Sequence, residues 1–154
     1  MTVNTTVYAT YLNVVPANAR WQYEETAREE DGSTVASAGA AIWARQNPAL
    51  VLATACTAAR KAAVAGVELS TRRKGTAGCN ESASRALRQL ARVQDFAEVL
   101  PQRGAWKIIA SRIAADAVVA QTLVKTGERR RASEALRALS AYVDGAADFS
   151  DIGD

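Results

Sequence analysis

Histidine is absent from the 154 residues of the chain. That one absence excludes His-based triads, histidine general bases and most zinc sites. Cysteine is scarce. Cys56 lies in an Ala-rich apolar stretch and Cys79 in a turn-like one, which predicts two free thiols rather than a disulfide. Thiolate catalysis through Cys79 would lack its usual base. No apolar run is read as reaching the about eighteen residues of a membrane helix, and "MTVNTTVYATYLN" lacks the basic start and apolar centre of a signal peptide. These absences predict a soluble, cytoplasmic chain with no membrane partner. Internal repeats and low-complexity linkers are missing too, and 49% hydrophobic residues are enough to fill one core, so a single domain is expected.

What is present in excess is positive charge in the middle of the chain. The net charge of +3 conceals an acidic tail, "DGAADFSDIGD", carrying Asp144, Asp148, Asp151 and Asp154 without a cation. Residues 32–143 hold seventeen cations against seven acids, a net +10. The expected organisation is a basic domain over 1–143 followed by an acidic tail over 144–154, and a basic body suggests a polyanionic partner. The tail would compete with that partner for the basic face.

The order of elements is read from local patterns. "TTVYATYLNV", "ARWQYEETARE" and "STVASAGAAIW" are β-branched or alternating, and Asp31-Gly32 is a hairpin signal, so the three form an antiparallel meander. Asn47-Pro48 caps and opens a helix ending at Gly66, and "VELST" gives a fourth strand. From Asn80 the pattern is helical to near Pro101, with Ala83, Leu87, Leu90 and Ala97 on one face and Arg85, Arg88 and Arg92 on another. "RGAWKIIASRIAA" is a helix, "DAVVAQTLVKTG" a fifth strand and "ERRRASEALRALSAYV" a last helix. The expected fold class is α/β, a mixed five-stranded sheet covered by helices on both faces.

In these stretches the chain resembles type 1 ribonuclease H and its wider superfamily over nearly its whole length. The resemblance implies a site of four carboxylates holding two divalent ions beside a scissile phosphate. The matching positions are Thr10, Leu50, Arg72 and Glu134, of which only Glu134 is an acid. The resemblance therefore implies a site without its metals, and neither metal nor cofactor is expected. "VELSTRRKG" then places Arg72, Arg73 and Lys74 where the ions would sit, as fixed charge that binds phosphate without hydrolysing it. "GERRR" places Arg129, Arg130 and Arg131 at a helix N-terminus, where they oppose the helix dipole unless an anion relieves them. Asn47 matches a family residue that contacts nucleic acid, although capping its helix is explanation enough.

The reading favoured by these features is a non-catalytic ribonuclease H-like module that binds nucleic acid, RNA or RNA–DNA hybrid. Its contacts would be Asn47, Arg72, Arg73, Lys74, Arg85, Arg88, Arg92, Arg129, Arg130 and Arg131. A second reading is a structural or interaction subunit, paired with itself or another protein, using small residues such as Ala36, Ala38, Gly39 and Ala40. A third is an active metal-dependent nuclease whose acids lie at other positions. Exposed turns and solvated helix faces account for the same arginines equally well.

Overall fold

Asn4 and the spacing of Val7 and Tyr11 turn the opening β-branched stretch into a helix. Asn4 Oδ1 accepts from the Val7 amide at 3.1 Å, capping a helix over Thr5–Val14, and Val7 and Tyr11, four residues apart, are its buried face. This is α1. The computed structural model describes residues 4–31 and 35–153, and there the chain forms six further helices: α2 (Ala17–Asp31), α3 (Val35–Gln46), α4 (Pro48–Thr71), α5 (Ala77–Glu98), α6 (Gly104–Lys125) and α7 (Arg129–Gly153).

Among the described residues there is no strand. The expected α/β class, the five-stranded sheet and the ribonuclease H-like architecture are therefore wrong, and each expected strand has a physical reason to be helical. "VELST" is the last turn and a half of α4, whose buried residues Ala62, Ala65, Gly66 and Leu69 recur every three or four positions. Gly66 does not stop this helix. A Cβ there would stand 2.7 Å from Leu136 Cδ1 and 3.4 Å from Ser133 Cα of α7, so the glycine lets two helices touch. "DAVVAQTLVK" is the second half of α6, and the Thr-Gly that follows is the turn that ends it: Ala110, Ile113, Ala117, Ala120 and Val124 are all buried, a helical period that runs unbroken across the supposed boundary. The supposed meander is α1, α2 and α3. Asp31 ends α2, and the hairpin glycine, Gly32, lies outside the described residues.

The long helices make an antiparallel four-helix ring. α4 packs between α5 and α7, and α6 closes the ring against the same two, as short connections require. α2 pairs with α3, where Gly39 lies against Glu24, and the expected use of that small-residue stretch as a docking face falls away at Gly39 and the buried Ala40; the Ala36 side chain lies outside the described residues. α1 ties this group to the C-terminal end of α5: Asn4 Nδ2 donates to the Asp95 carbonyl at 2.9 Å and Thr6 Oγ1 to the Asp95 carboxylate at 2.5 Å. Tyr11 is fully buried there, with ring centroids of Tyr23 and Trp43 at 6.1 and 5.9 Å. Asn47 precedes α4 as expected, but its side chain does not cap α4: its Nδ2 donates back to the Trp43 carbonyl in the last turn of α3 at 2.8 Å.

Both cysteines are free and buried. By length and composition α4 is apolar enough to cross a membrane, contrary to the sequence reading, and half of its apolar window is buried against its neighbours. The acidic segment from Asp144 continues α7 to Gly153, and Asp144 pairs with Arg60 of α4 at 2.7 Å.

The close approach at Gly66 gives a first prediction. Alanine normally gains about 1 kcal/mol over glycine inside a helix. Here its methyl must displace the fully buried Leu136, and overpacking of that kind costs about 1–3 kcal/mol. Gly66→Ala should therefore lower the urea midpoint at unchanged slope; a raised midpoint would show that Leu136 is not held in place against α4.

Burial gives a second. It pushes the Cys56 thiol, which donates to the Val143 carbonyl at 3.4 Å, up from 9.0 to about 11, with Asp144 adding to the shift. Burial also pushes the Tyr11 hydroxyl up from 10.0 to about 12, with Glu24 adding to it. In each case the folded chain holds a proton that the unfolded chain has released. The stabilisation is complete below pH 9 and falls as pH rises from 9 through 12. Urea midpoints between pH 8 and 12 should decline across that window, and Cys56→Ala should remove the portion between 9 and 11. A flat profile would contradict the burial of both groups.

Candidate functional site

Two loops meet at one end of the bundle. α4 ends at Thr71, and Arg72 leaves it extended at φ −86° and ψ 151°, its amide bonded to the Glu68 carbonyl at 3.1 Å. Gly75, at φ +82°, makes the turn in a left-handed conformation that side chains resist. Thr76 then caps α5: its Oγ1 accepts from the Cys79 amide at 3.2 Å and donates to the Arg73 carbonyl at 2.7 Å. At the neighbouring corner α6 stops in a Schellman turn. Gly127 sits at φ +79°, the Glu128 amide bonds the Leu123 carbonyl at 3.0 Å and the Gly127 amide the Val124 carbonyl at 3.3 Å. α7 begins at once with Arg129.

These turns bring together the two basic clusters that lie more than fifty positions apart in the chain. The Arg129 guanidinium donates to the Arg72 carbonyl. The ammonium end of Lys74 lies 3.8 Å from where a Cβ on Gly127 would stand, and Arg72 reaches across the first turn of α5 at Gly78. Arg72, Arg73, Lys74, Arg130 and Arg131 are exposed and Arg129 half-buried. Lys125, in the last turn of α6, joins them. It could have been found from the sequence by reading residues 104–125 as one helix stopped by Gly127, since a basic last turn is a common helix ending.

The charge at this end comes from side chains and not from helix dipoles. α5 and α7 start here while α4 and α6 finish here, so their macrodipoles oppose one another. Seven cations share the end with few acids. Glu128 and Glu134 flank the α7 arginines, and Glu68 is committed to Arg85 at 2.8 Å. No acid lies in the first turn of α7 or of α5.

The other residues singled out in the sequence lie elsewhere. Arg85 pairs with Glu68 in the last turns of α4 and helps line a groove of about 320 Å³ with Arg60, Lys61, Val64 and Gln89, while Arg88 and Arg92 are exposed one and two turns further along α5. Asn47 is at the opposite end of α4, where it holds α3. The four positions of the ribonuclease H resemblance do not converge. Leu50 and Arg72 are separated by roughly 33 Å along one helix, and Thr10 is in α1, where its hydroxyl donates to the Thr6 carbonyl. Among the described residues no three Cys, Asp or Glu side chains come together to hold a metal. Trp43 is buried, Trp106 is partly buried against the core, and Trp21, on α2, is 61% exposed.

The expected competition between the acidic tail and the basic end is also excluded by geometry within one chain. α7 is continuous, so Asp148 stays roughly 27 Å from Arg130 along its axis. Compared with known proteins, the chain matches no family model, no curated protein and no solved structure.

Proposed function

We propose that the chain binds nucleic acid, without cleaving it, through the basic end of its helix bundle. The observation that carries this reading is the meeting of residues 72–74 with residues 129–131, fastened by the bond from Arg129 to the Arg72 carbonyl. Like charges gathered at one end repel, and a polyanion relieves the repulsion while releasing its own counterions. Five of these cations are arginines with forked donors suited to phosphate oxygens, and four of the five, Arg72, Arg73, Arg130 and Arg131, are exposed.

The same geometry argues for contact with the backbone and not with the bases. No exposed aromatic ring lies at this end among the described residues, so nothing offers a stacking platform. Cys79, the nearest thiol, is buried, and the chain has no histidine to activate it. Binding by charge alone is indifferent to sequence. The expected preference for RNA or hybrid rested on the ribonuclease H resemblance and falls with it.

The test is the dependence of affinity on salt. Each phosphate neutralised on a B-DNA duplex contributes about 0.9 to the slope of log affinity against log salt concentration. Replacing Arg72, Arg73 and Lys74 together by Ser should flatten that slope by roughly 2–3, measured by fluorescence anisotropy with a labelled duplex. Replacing Arg129, Arg130 and Arg131 should do the same, because both clusters serve one surface. An unchanged slope in both variants would end this reading.

A further inference from the structure

The outward face of α7 has three features that the single chain does not explain. Its inner face, Ala132, Leu136, Leu139 and Val143, is buried in the bundle, while Arg130, Glu134, Ala138, Ala141, Gly145 and Asp148 are exposed. The first feature is charge running the wrong way. Cations crowd the N-terminal turn, with no acid in it, and acids occupy the C-terminal turns, with no base in the last one. Both ends oppose the helix dipole. The second is Gly145. It sits inside a helix, outside the left-handed region, and a Cβ added there would meet nothing within 4 Å. Glycine weakens a helix interior, and within this chain nothing is gained in return. The third is the smallness of the exposed side chains at 138 and 141, between the two charged halves.

All three are accounted for by one partner. We propose that α7 pairs with the α7 of a second copy of this chain, antiparallel, about a twofold axis. The acidic half of each helix then faces the basic half of the other, and the two dipoles run in opposite directions. With the axis at the level of Leu139 and Ser140, Ala138 stands opposite Ala141, Arg131 opposite Asp148, and the stem of Glu134 enters the space left open by Gly145. Gly66 performs the same service for α4 and α7 within the chain, where Leu136 occupies the space. Such a contact is self-complementary and closes at two copies. The flanks are consistent with it: Arg112 of α6 is engaged over the Tyr142 ring at 4.8 Å and Arg60 of α4 holds Asp144, so neither adds a free charge against the partner. One helix pair is a small interface built on exposed ion pairs, so the dimer is weak and dissolves in salt. The pairing is independent of the nucleic-acid reading, although both use Arg131.

Sedimentation velocity over about 5–200 µM protein tests it, since assembly by mass action follows concentration. At about 50 mM salt the mass should rise from one chain to two, and at about 500 mM it should return to one. Gly145→Leu should keep or raise the urea midpoint while weakening the dimer about tenfold or more, because the side chain fills space that only the partner uses. Arg131→Asp and Asp148→Arg should each weaken it about tenfold, and the two together in one chain should restore it to within about threefold, since the swapped pair is again opposite in sign. A protein that stays monomeric at low salt overturns the proposal. So does a dimer untouched by Gly145→Leu, a charge swap that fails to rescue, or a Gly145→Leu chain that loses stability.

Discussion

The contact on which the rest of this structure depends is the close approach of α4 and α7 at Gly66. With Leu136 and Ser133 pressed against a position that has no side chain, the two helix axes lie nearer than larger residues would allow. Ala58, Ala59, Ala62 and Ala65 extend the same economy along α4, which is buried against both α5 and α7. Because α4 is held on two sides, the loops that leave its C-terminus and enter α7 must end side by side. The basic end is a consequence of that packing: the chain directions bring residues 72–74 and 129–131 to one place, and their own repulsion is borne by the core beneath them.

Part of this was legible in the sequence. The start of α4 at Pro48, α5 from Asn80 onward and the Arg-rich opening of α7 follow from a proline suited to the first helical position and from a clear amphipathic period, strongest in α5 and α7, where polar and apolar faces are distinct. The first turn of α5, with Cys79, reads as a turn in the sequence. The rest was hidden for a common physical reason. α1 is rich in Val, Thr and Tyr and α6 in Ile and Val, residues that favour strands when judged one at a time, yet their buried positions recur at three and four. Propensity is a weak prior, and here tertiary packing overrode it. Gly66 misled differently. A glycine after an apolar helical run signals a stop when its left-handed conformation is needed, as at Gly127, but at Gly66 it is the missing side chain that matters, and only the partner helix reveals that.

The site was legible as composition and illegible as geometry. The clusters at 72–74 and 129–131 were conspicuous, but their union depends on the helix ring. A sheet would have placed Thr10, Leu50, Arg72 and Glu134 together; the bundle instead sets Leu50 and Arg72 at opposite ends of one helix. The charge asymmetry of the chain takes on a new meaning in the same way. What reads as a basic body with an acidic tail becomes, once α7 is continuous, a helix with opposite charge at its two ends, one end beside the other basic loop and the other some distance off beside Arg60. Electrostatic attraction between such ends acts between molecules and not within one.

In the helix ring the two basic loops are neighbours. Spin labels on Arg73→Cys and Arg130→Cys, in a chain whose buried Cys56 and Cys79 are replaced by Ala, would measure their separation by pulsed electron resonance in dilute protein at high salt. Neighbouring helices of a bundle lie about 8–10 Å apart, so with the label arms a single distance of roughly 10–25 Å is expected. A distance beyond about 30 Å, the length of a twenty-residue helix, would place the loops at different ends of the molecule and contradict this arrangement.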